Sequence, residues 1–309
     1  MNFIVFPGQG SQKISMGKDL SDNFVEAKEV FEEVNEALDF NLTEIMWGDD
    51  EKTLSLTYNA QPALMACGVA SFRVLKKLTG KNLTELADYI CGHSLGEYTA
   101  MTVAGVFSLK ECSQLLRLRG NAMQKAVPVG KGAMAAFIGA DTTITLDILK
   151  QVQSFGVCDI ANDNSDSQVV ISGDLEAVQN AINLTKQYGI KRAVLLPVSA
   201  PFHCRLMQPA QLIMEEALNN IEFQQPTLPI ISNINARPET DPNKLKINLI
   251  NQVTGTVKWR ETMLLAKKLG VQKITELGSG KVLTGIAKRM IENVSILNIE
   301  NSADLENIL

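Results

Sequence analysis

Histidine is scarce in this 309-residue sequence: His93 and His203 are the only two. Any search for a general base is therefore confined to two positions. The five cysteines (Cys67, Cys91, Cys112, Cys158 and Cys204) are odd in number and form no C-x-x-C pair. That fits reduced thiols in a cytoplasm and argues against a disulfide framework or a zinc site. Basic charge is in deficit, with 29 Lys and Arg against 34 Asp and Glu and a net charge of −5, which argues against a nucleic-acid surface. No apolar run approaches the ~20 residues of a membrane helix. Met1 leads straight into a strand-like F-I-V-F without a signal pattern. No repeat or low-complexity tract appears. What is present is ample apolar content, 45%, in a length suited to one large or two modest domains.

Along the chain, Phe3-Ile4-Val5-Phe6 reads as a short strand ending in P-G-Q-G-S-Q. Glycine-rich turns after strands build ligand sites in open α/β sheets. This one lacks both the phosphate-loop and the dinucleotide spacing, and by itself reads as a tight turn. Residues 23–38 and 61–78 have helical spacing, as do 98–106 and 109–125. From residue 127 the pattern changes. Strands at 132–138, 157–161, 168–172 and 191–198 and helices at 142–152 and 175–188 follow in the order β-α-β-β-α-β. This is the ferredoxin-like split βαβ unit. The expected organisation is a small unit of residues 127–199 inserted into a larger α/β unit of residues 1–126 and 200–309. In the larger unit, helices are expected at 203–219, 244–252, 260–268 and 281–291, and strands at 229–232 and 273–277.

The chain is organised around Ile90-Cys91-Gly92-His93-Ser94-Leu95-Gly96-Glu97. An apolar strand runs into G-H-S-L-G and then into a helix, the context of a nucleophile elbow. The turn lifts the Ser94 hydroxyl out at a strand's carboxyl end and sets the Leu95 N–H at a helix N-terminus, where it can serve an oxyanion. A serine hydroxyl needs a base. His93 neighbours Ser94 and reads as a packed elbow residue, because adjacent side chains on an extended strand end point apart. That leaves His203 in P-V-S-A-P-F-H-C, where the chain returns to the larger unit. A third, acidic member is not obvious. Asp241 and Glu276 lie in no triad-like context, so a backbone carbonyl or an amide is an alternative partner for His203. In L-L-R-L-R-G-N, Arg117 and Arg119 are two apart and so roughly 200° apart around a helix. One can face the site and the other should reach solvent. An inward arginine offers a bidentate fork for a carboxylate, which an ordinary esterase does not need.

These residues carry a resemblance. F-P-G-Q-G-S-Q, G-H-S-L-G-E, R-G-x-x-M-Q-x-A-V-P, P-F-H-C and G-K-V-L-T-G-I fall in the order seen in malonyl-CoA:acyl carrier protein transacylases. These are bacterial fatty-acid-synthesis enzymes related to the acyltransferase domains of polyketide synthases. The resemblance spans essentially the whole chain and implies a hydrolase-like α/β subdomain with mostly parallel sheet and an inserted ferredoxin-like one. It implies that Ser94 is the acylated nucleophile, His203 the base and Arg119 the partner of the malonyl carboxylate. Gln9 and Leu95 would supply oxyanion N–H groups, and the main-chain carbonyl of Gln252 would orient His203. Phe202, just before the histidine, resembles the phenylalanine that accompanies malonyl rather than methylmalonyl use. The implied substrates are malonyl-CoA and phosphopantetheinylated acyl carrier protein, with no metal or redox cofactor, and the implied state is a cytoplasmic monomer. Lys191-Arg192 and Lys288-Arg289 are candidate contacts for the acidic carrier protein. Two departures stand out. Asp166 and Ser167 replace a usual proline and glycine, and T-G-T-V-K-W lacks the proline expected before Val257. The rival readings are a serine esterase or thioesterase, which would need a triad acid, and a non-catalytic carrier-protein-binding module.

Overall fold

Strand β1 (Asn2–Phe6) sends Phe3 and Val5 into one apolar cluster and Ile4 and Phe6 into another. This is the two-residue period of a strand buried on both faces. The computed structural model describes residues 1–198 and 200–305. After β1 come four short or medium helices, α1 (Lys18–Asn23), α2 (Val25–Leu38), α3 (Leu42–Trp47) and α4 (Glu51–Ser55). Helix α5 (Thr57–Thr79) follows and is buried along most of its length. It starts one turn earlier than its apolar periodicity indicates, and Gly80 at φ 65° ends it. Helix α6 (Leu83–Leu86) leads to β2 (Tyr89–Gly92), α7 (Leu95–Val103) and α8 (Leu109–Lys125). Ser108 and Glu111 form a capping box at the start of α8.

Next come β3 (Gly132–Ile138), α9 (Thr142–Gln151), β4 (Cys158–Ser165), β5 (Gln168–Asp174), α10 (Leu175–Leu184) and β6 (Arg192–Leu195). Their strands form an antiparallel sheet of order β4-β5-β3-β6. Ala133, Ala135 and Phe137 of β3 face a core shared with α9 and α10, while Met134 and Ala136 face the main core. The polar N-D-N-S-D-S stretch is not the turn its composition suggests. Strand β4 continues through Ser165 with two register irregularities, and only Asp166-Ser167 turn. Partners elsewhere in the chain hold it extended. Arg260 pairs with Asp163 at 3.0 Å, and Asn162 bridges Val257. Ser199, the last residue of the expected small unit, and residues 306–309 lie outside the described residues.

The chain then forms α11 (Gln208–Asn219), β7 (Ile230–Ile231), β8 (Pro238–Glu239), α12 (Pro242–Gln252), α13 (Trp259–Lys268), β9 (Lys273–Leu277), α14 (Val282–Met290) and β10 (Ser295–Ile299). The larger sheet has the order β10-β9-β1-β2-β7-β8, parallel throughout except for the β7–β8 pair. Strand β10 closes one edge and has no counterpart in the sequence reading. Residues 203–207 are not α-helical; His203 sits at φ 57° and α11 begins at Gln208. Asp241 caps α12, accepting from Asn243 N at 2.9 Å. Buried Glu276 accepts from Leu283 N, Thr284 N and Thr284 Oγ1 at the start of α14. Both acids are thus engaged in holding helix ends.

Candidate active site

Strands β1 and β2 run parallel with Phe6 opposite Gly92, so P-G-Q-G and G-H-S-L-G emerge side by side at their carboxyl ends. The glycines are there because backbone passes backbone. A Cβ on Gly92 would lie 2.1 Å from Gly96, and one on Gly96 would lie 2.3 Å from Phe6 O. Ser94, between them, adopts φ 53°, ψ −110°, a conformation that costs a non-glycine residue about 1–3 kcal/mol and that clusters at functional sites. Leu95, the first residue of α7, is buried, as is Ser94 itself.

His203 Nε2 lies 2.8 Å from Ser94 Oγ, and His203 Nδ1 lies 2.9 Å from Gln252 O. The carbonyl can only accept, so Nδ1 carries the proton and the Nε2 lone pair faces the hydroxyl. Burial, reinforced by the Arg119 charge, lowers the His203 ring from 6.5 to about 3, and the imidazole stays neutral. A main-chain carbonyl therefore stands where a triad acid would.

Arg119 is completely buried. Its Nη1 donates to Gln61 Oε1 at 2.8 Å, and its Nη2 donates to Gln252 Oε1 at 2.9 Å and to Ser94 Oγ at 3.1 Å. The guanidinium also lies against the Tyr98 ring, 5.4 Å from its centroid. Its hydrogen-bond partners among the described residues are neutral oxygens. Gly120 makes this placement possible, because a Cβ there would meet Tyr58 Cα at 2.4 Å. Arg117 points away from Ser94, yet it does not reach solvent as a free cation. Pro62 has no N–H to give to Tyr58 O, four residues earlier, and Arg117 Nη1 fills the gap at 3.0 Å. The side chain also bonds Asn59 Oδ1 and lies between the rings of Phe40 and Tyr58. It is a strut between α5 and α8.

His93 packs beside Trp259, ring centroids 5.7 Å apart, with Nε2 held by Asn164 Oδ1 at 2.9 Å. Gln9 and Phe202 line the same cleft of about 630 Å³ as Ser94, Arg119 and His203. The cleft lies between the carboxyl ends of β1 and β2 and the second sheet, which contributes Met134 and the segment after β6. Thr256 stands where proline was expected; its hydroxyl donates to Ile160 O at 2.6 Å, tying the segment to β4. Three site residues had no clear sequence signal. Gln61 is one turn into an apolar helix, Asn233 follows a two-residue strand, and Glu97 resembles an ordinary first-turn acid. Asn233 Oδ1 accepts from Ser94 N at 2.7 Å, and its Nδ2 donates to Gly92 O at 2.7 Å, pinning the elbow from behind.

A strained serine, a neutral histidine and a buried arginine converging in one cleft are the parts of an acyl-transfer site. The sequence matches the acyl transferase domain over residues 3–299. This chain belongs to the acyl transferase family. Among its relatives is the malonyl CoA-acyl carrier protein transacylase of Haemophilus influenzae, 38% identical over 300 residues, 97% of this chain and 95% of the relative. The acyl-carrier-protein-S-malonyltransferase of Bartonella henselae superposes on this acyl transferase with a TM-score of 0.97 at 48% identity, covering 100% of this chain and 98% of the other. A malonyl-transacylase solved in complex with its type II PKS acyl-carrier protein superposes with a TM-score of 0.95 at 38% identity, covering 100% and 98%. Among the described residues of this acyl transferase, no helix is long and apolar enough to cross a membrane.

Proposed function

We propose that this acyl transferase moves a malonyl group from malonyl-CoA to the phosphopantetheine thiol of an acyl carrier protein, through a malonyl-Ser94 intermediate. The observation that carries this reading is Arg119, a buried cation with neutral partners, 3.1 Å from the nucleophile. A guanidinium so placed favours an acyl group with a distal carboxylate. In the first half-reaction Ser94 Oγ attacks the thioester carbonyl while His203 Nε2 takes the hydroxyl proton. The oxyanion is held by the N–H groups of Gln9 and Leu95. The C–S bond then breaks, and His203 returns the proton to the coenzyme A sulfur. In the second half the carrier thiol gives its proton to His203 and attacks malonyl-Ser94; the ester C–O bond breaks and His203 returns the proton to Ser94 Oγ. Every step uses side-chain and backbone groups, so the cycle calls for no metal or redox cofactor. We assign the chemistry to a cytoplasmic monomer whose inserted ferredoxin-like subdomain is the unit expected at residues 127–199, of which 127–198 are described. The esterase reading is disfavoured because Gln252 O occupies the place of a triad acid and because Arg119 would have no role. Intact-mass measurement after mixing with malonyl-CoA should show a malonyl adduct on Ser94, with acetyl-CoA labelling far more slowly. Equal labelling by both would return the esterase reading to the front.

The lowered His203 value sets the pH dependence. A base whose free-enzyme value lies below 6.5 is protonated only as pH falls toward that lowered value. The acidic limb of kcat/KM for Ser94 acetylation by acetyl-CoA should therefore bend below pH 6.5. An inflection at or above 6.5 in the pH–rate profile would place another group in the base's role.

Phe202 is buried and lines the cleft, so an α-methyl on the acyl group should meet its ring. Malonyl should be preferred over methylmalonyl by about 10- to 200-fold in kcat/KM, the range set by one methyl in an apolar pocket. Equal values for the two thioesters would remove Phe202 from specificity.

Lys191 and Arg192 are exposed at edge strand β6, which leads directly into the cleft-lining residues Leu196 to Val198. Lys288 and Arg289, in the last turn of α14, are also exposed. Charge reversal at Lys191 and Arg192 should raise the apparent KM for carrier protein and flatten its salt dependence, while labelling by malonyl-CoA is unchanged. Equal loss in both half-reactions would count against docking there.

A further inference from the structure

Behind the elbow, on the side away from the cleft, Glu97 is fully buried. Its Oε2 accepts from Gln252 Nε2 at 2.7 Å and from Asn233 N at 3.1 Å. The Ser232 side chain is near the same carboxyl, but Glu97 Oε1 and Ser232 Oγ make no hydrogen bond among the described residues. Gln252 Nε2 also donates to Ser94 O at 3.0 Å and reaches Asn233 Oδ1 at 3.4 Å. The chemistry of these partners fixes which way the amide points. Ser94 O, Asn233 Oδ1 and Glu97 Oε2 are acceptors, so the amide presents NH₂ to them. Arg119 has donors only, so Oε1 must face it, and it does so at 2.9 Å.

We propose that Glu97 is a positioning residue for acyl-group selection, acting as the acceptor that locks the Gln252 amide so that its Oε1 aims the Arg119 guanidinium at the acyl carboxylate. This inference rests on the assignment of Arg119 as the carboxylate partner. It goes further in placing the control of that arginine on a side chain that touches neither substrate nor nucleophile. The same Gln252 meets His203 through its main-chain carbonyl, so a merely structural defect at Glu97 would slow malonyl and acetyl groups alike. A loss of positioning slows malonyl preferentially. Burial pushes the Glu97 carboxyl upward from its ordinary value, so what the site requires of it is an oxygen acceptor, which a neutral glutamine also supplies. The glutamine NH₂ would then take the place of Oε1, which makes no hydrogen bond among the described residues.

The test compares rates of Ser94 labelling by malonyl-CoA and acetyl-CoA in the intact protein. Glu97→Met keeps the side-chain length and removes the acceptor, and should lower the malonyl-to-acetyl ratio about 10- to 100-fold, the scale of a hydrogen bond serving a charged group. Glu97→Gln should stay within about threefold of the wild-type ratio, because the acceptor survives. In a Gln252→Met background, Glu97→Met should change the ratio no further, since the intermediary is already gone. Should Glu97→Met not fold, Glu97→Asp retracts the acceptor by one methylene and should lower the ratio partially. An unchanged ratio in that variant overturns the proposal. It is equally overturned if Arg119→Ala loses the malonyl preference while folded Glu97→Met keeps it, or if Glu97→Gln falls as far as Glu97→Met. If Arg119→Ala itself keeps the preference, the carboxylate assignment fails, and the role of Glu97 falls with it.

Discussion

Ser94→Ala is expected to abolish both malonyl labelling and transfer to carrier protein, and His203→Ala to come close. Nucleophile and base act as a unit, so each loss should be on the order of 10⁴–10⁶ in rate. Neither change should unfold the chain. Ser94→Ala removes one acceptor from Arg119 Nη2, but the guanidinium keeps Gln61 and Gln252. Removing the imidazole leaves Gln252 O beside an opening toward the cleft. Circular dichroism of each variant beside the transfer assay separates lost chemistry from lost fold. Near-normal transfer by a well-folded Ser94→Ala would sink the covalent mechanism. Normal labelling with lost transfer in His203→Ala would confine the histidine to the second half-reaction.

Arg119→Ala is expected to cut malonyl transfer while leaving acetyl transfer level or improved. Malonyl-CoA and acetyl-CoA share the thioester and the coenzyme A handle and differ by one carboxylate. Removing one member of a buried charged pair typically costs ~2–5 kcal/mol. That corresponds to a loss of roughly 30- to several-thousand-fold in kcat/KM for malonyl-CoA. For acetyl-CoA the wild-type guanidinium is a desolvated charge facing a methyl group, so its removal carries no such loss. Arg117→Ala is the control. Because Arg117 bonds Tyr58 O and lies between two rings, the variant should melt at lower temperature yet keep the malonyl-to-acetyl ratio. If Arg117 carries the preference instead, the assignment of the two arginines is reversed. If neither does, the carboxylate reading fails.

Much of this was legible in order along the chain. The elbow announces itself because its glycines are needed for local reasons, the near-contacts of Gly92 with Gly96 and of Gly96 with Phe6 O. Scarcity did the rest for the histidine, since one of the two neighbours Ser94 in the chain and the other closes on its hydroxyl at 2.8 Å. Periodicity located α8, which buries one face, and apolar runs located α5, β3 and β5, which are buried along most of their length. It failed where tertiary partners override composition. The polar segment at 162–165 is strand because Arg260, Val257 and His93 take up its side chains and backbone. Arg117 reads as a solvated cation, and only the carbonyl left free by Pro62, on another helix, shows otherwise.

The sequence by itself singled out Ser94 and His203 as the candidate pair and an arginine suited to a carboxylate, because a serine in an elbow motif, a scarce histidine and an arginine before a glycine are residue identities that can be read without the fold. What only the tertiary structure decided is how they are held. Gln252 lies 158 residues from Ser94 and 49 from His203, and Asn233 lies 139 from the elbow it pins. No periodicity links such positions, since their spacing is set by the path of the chain between strands. Glu97 shows the limit most plainly. In the sequence it is an acid in the first turn of a helix, where the dipole favours one on a solvated surface. In the fold it is fully buried instead, with Gln252 at the end of α12 and Asn233 just after β7 as partners, and burial is a property of the assembled fold.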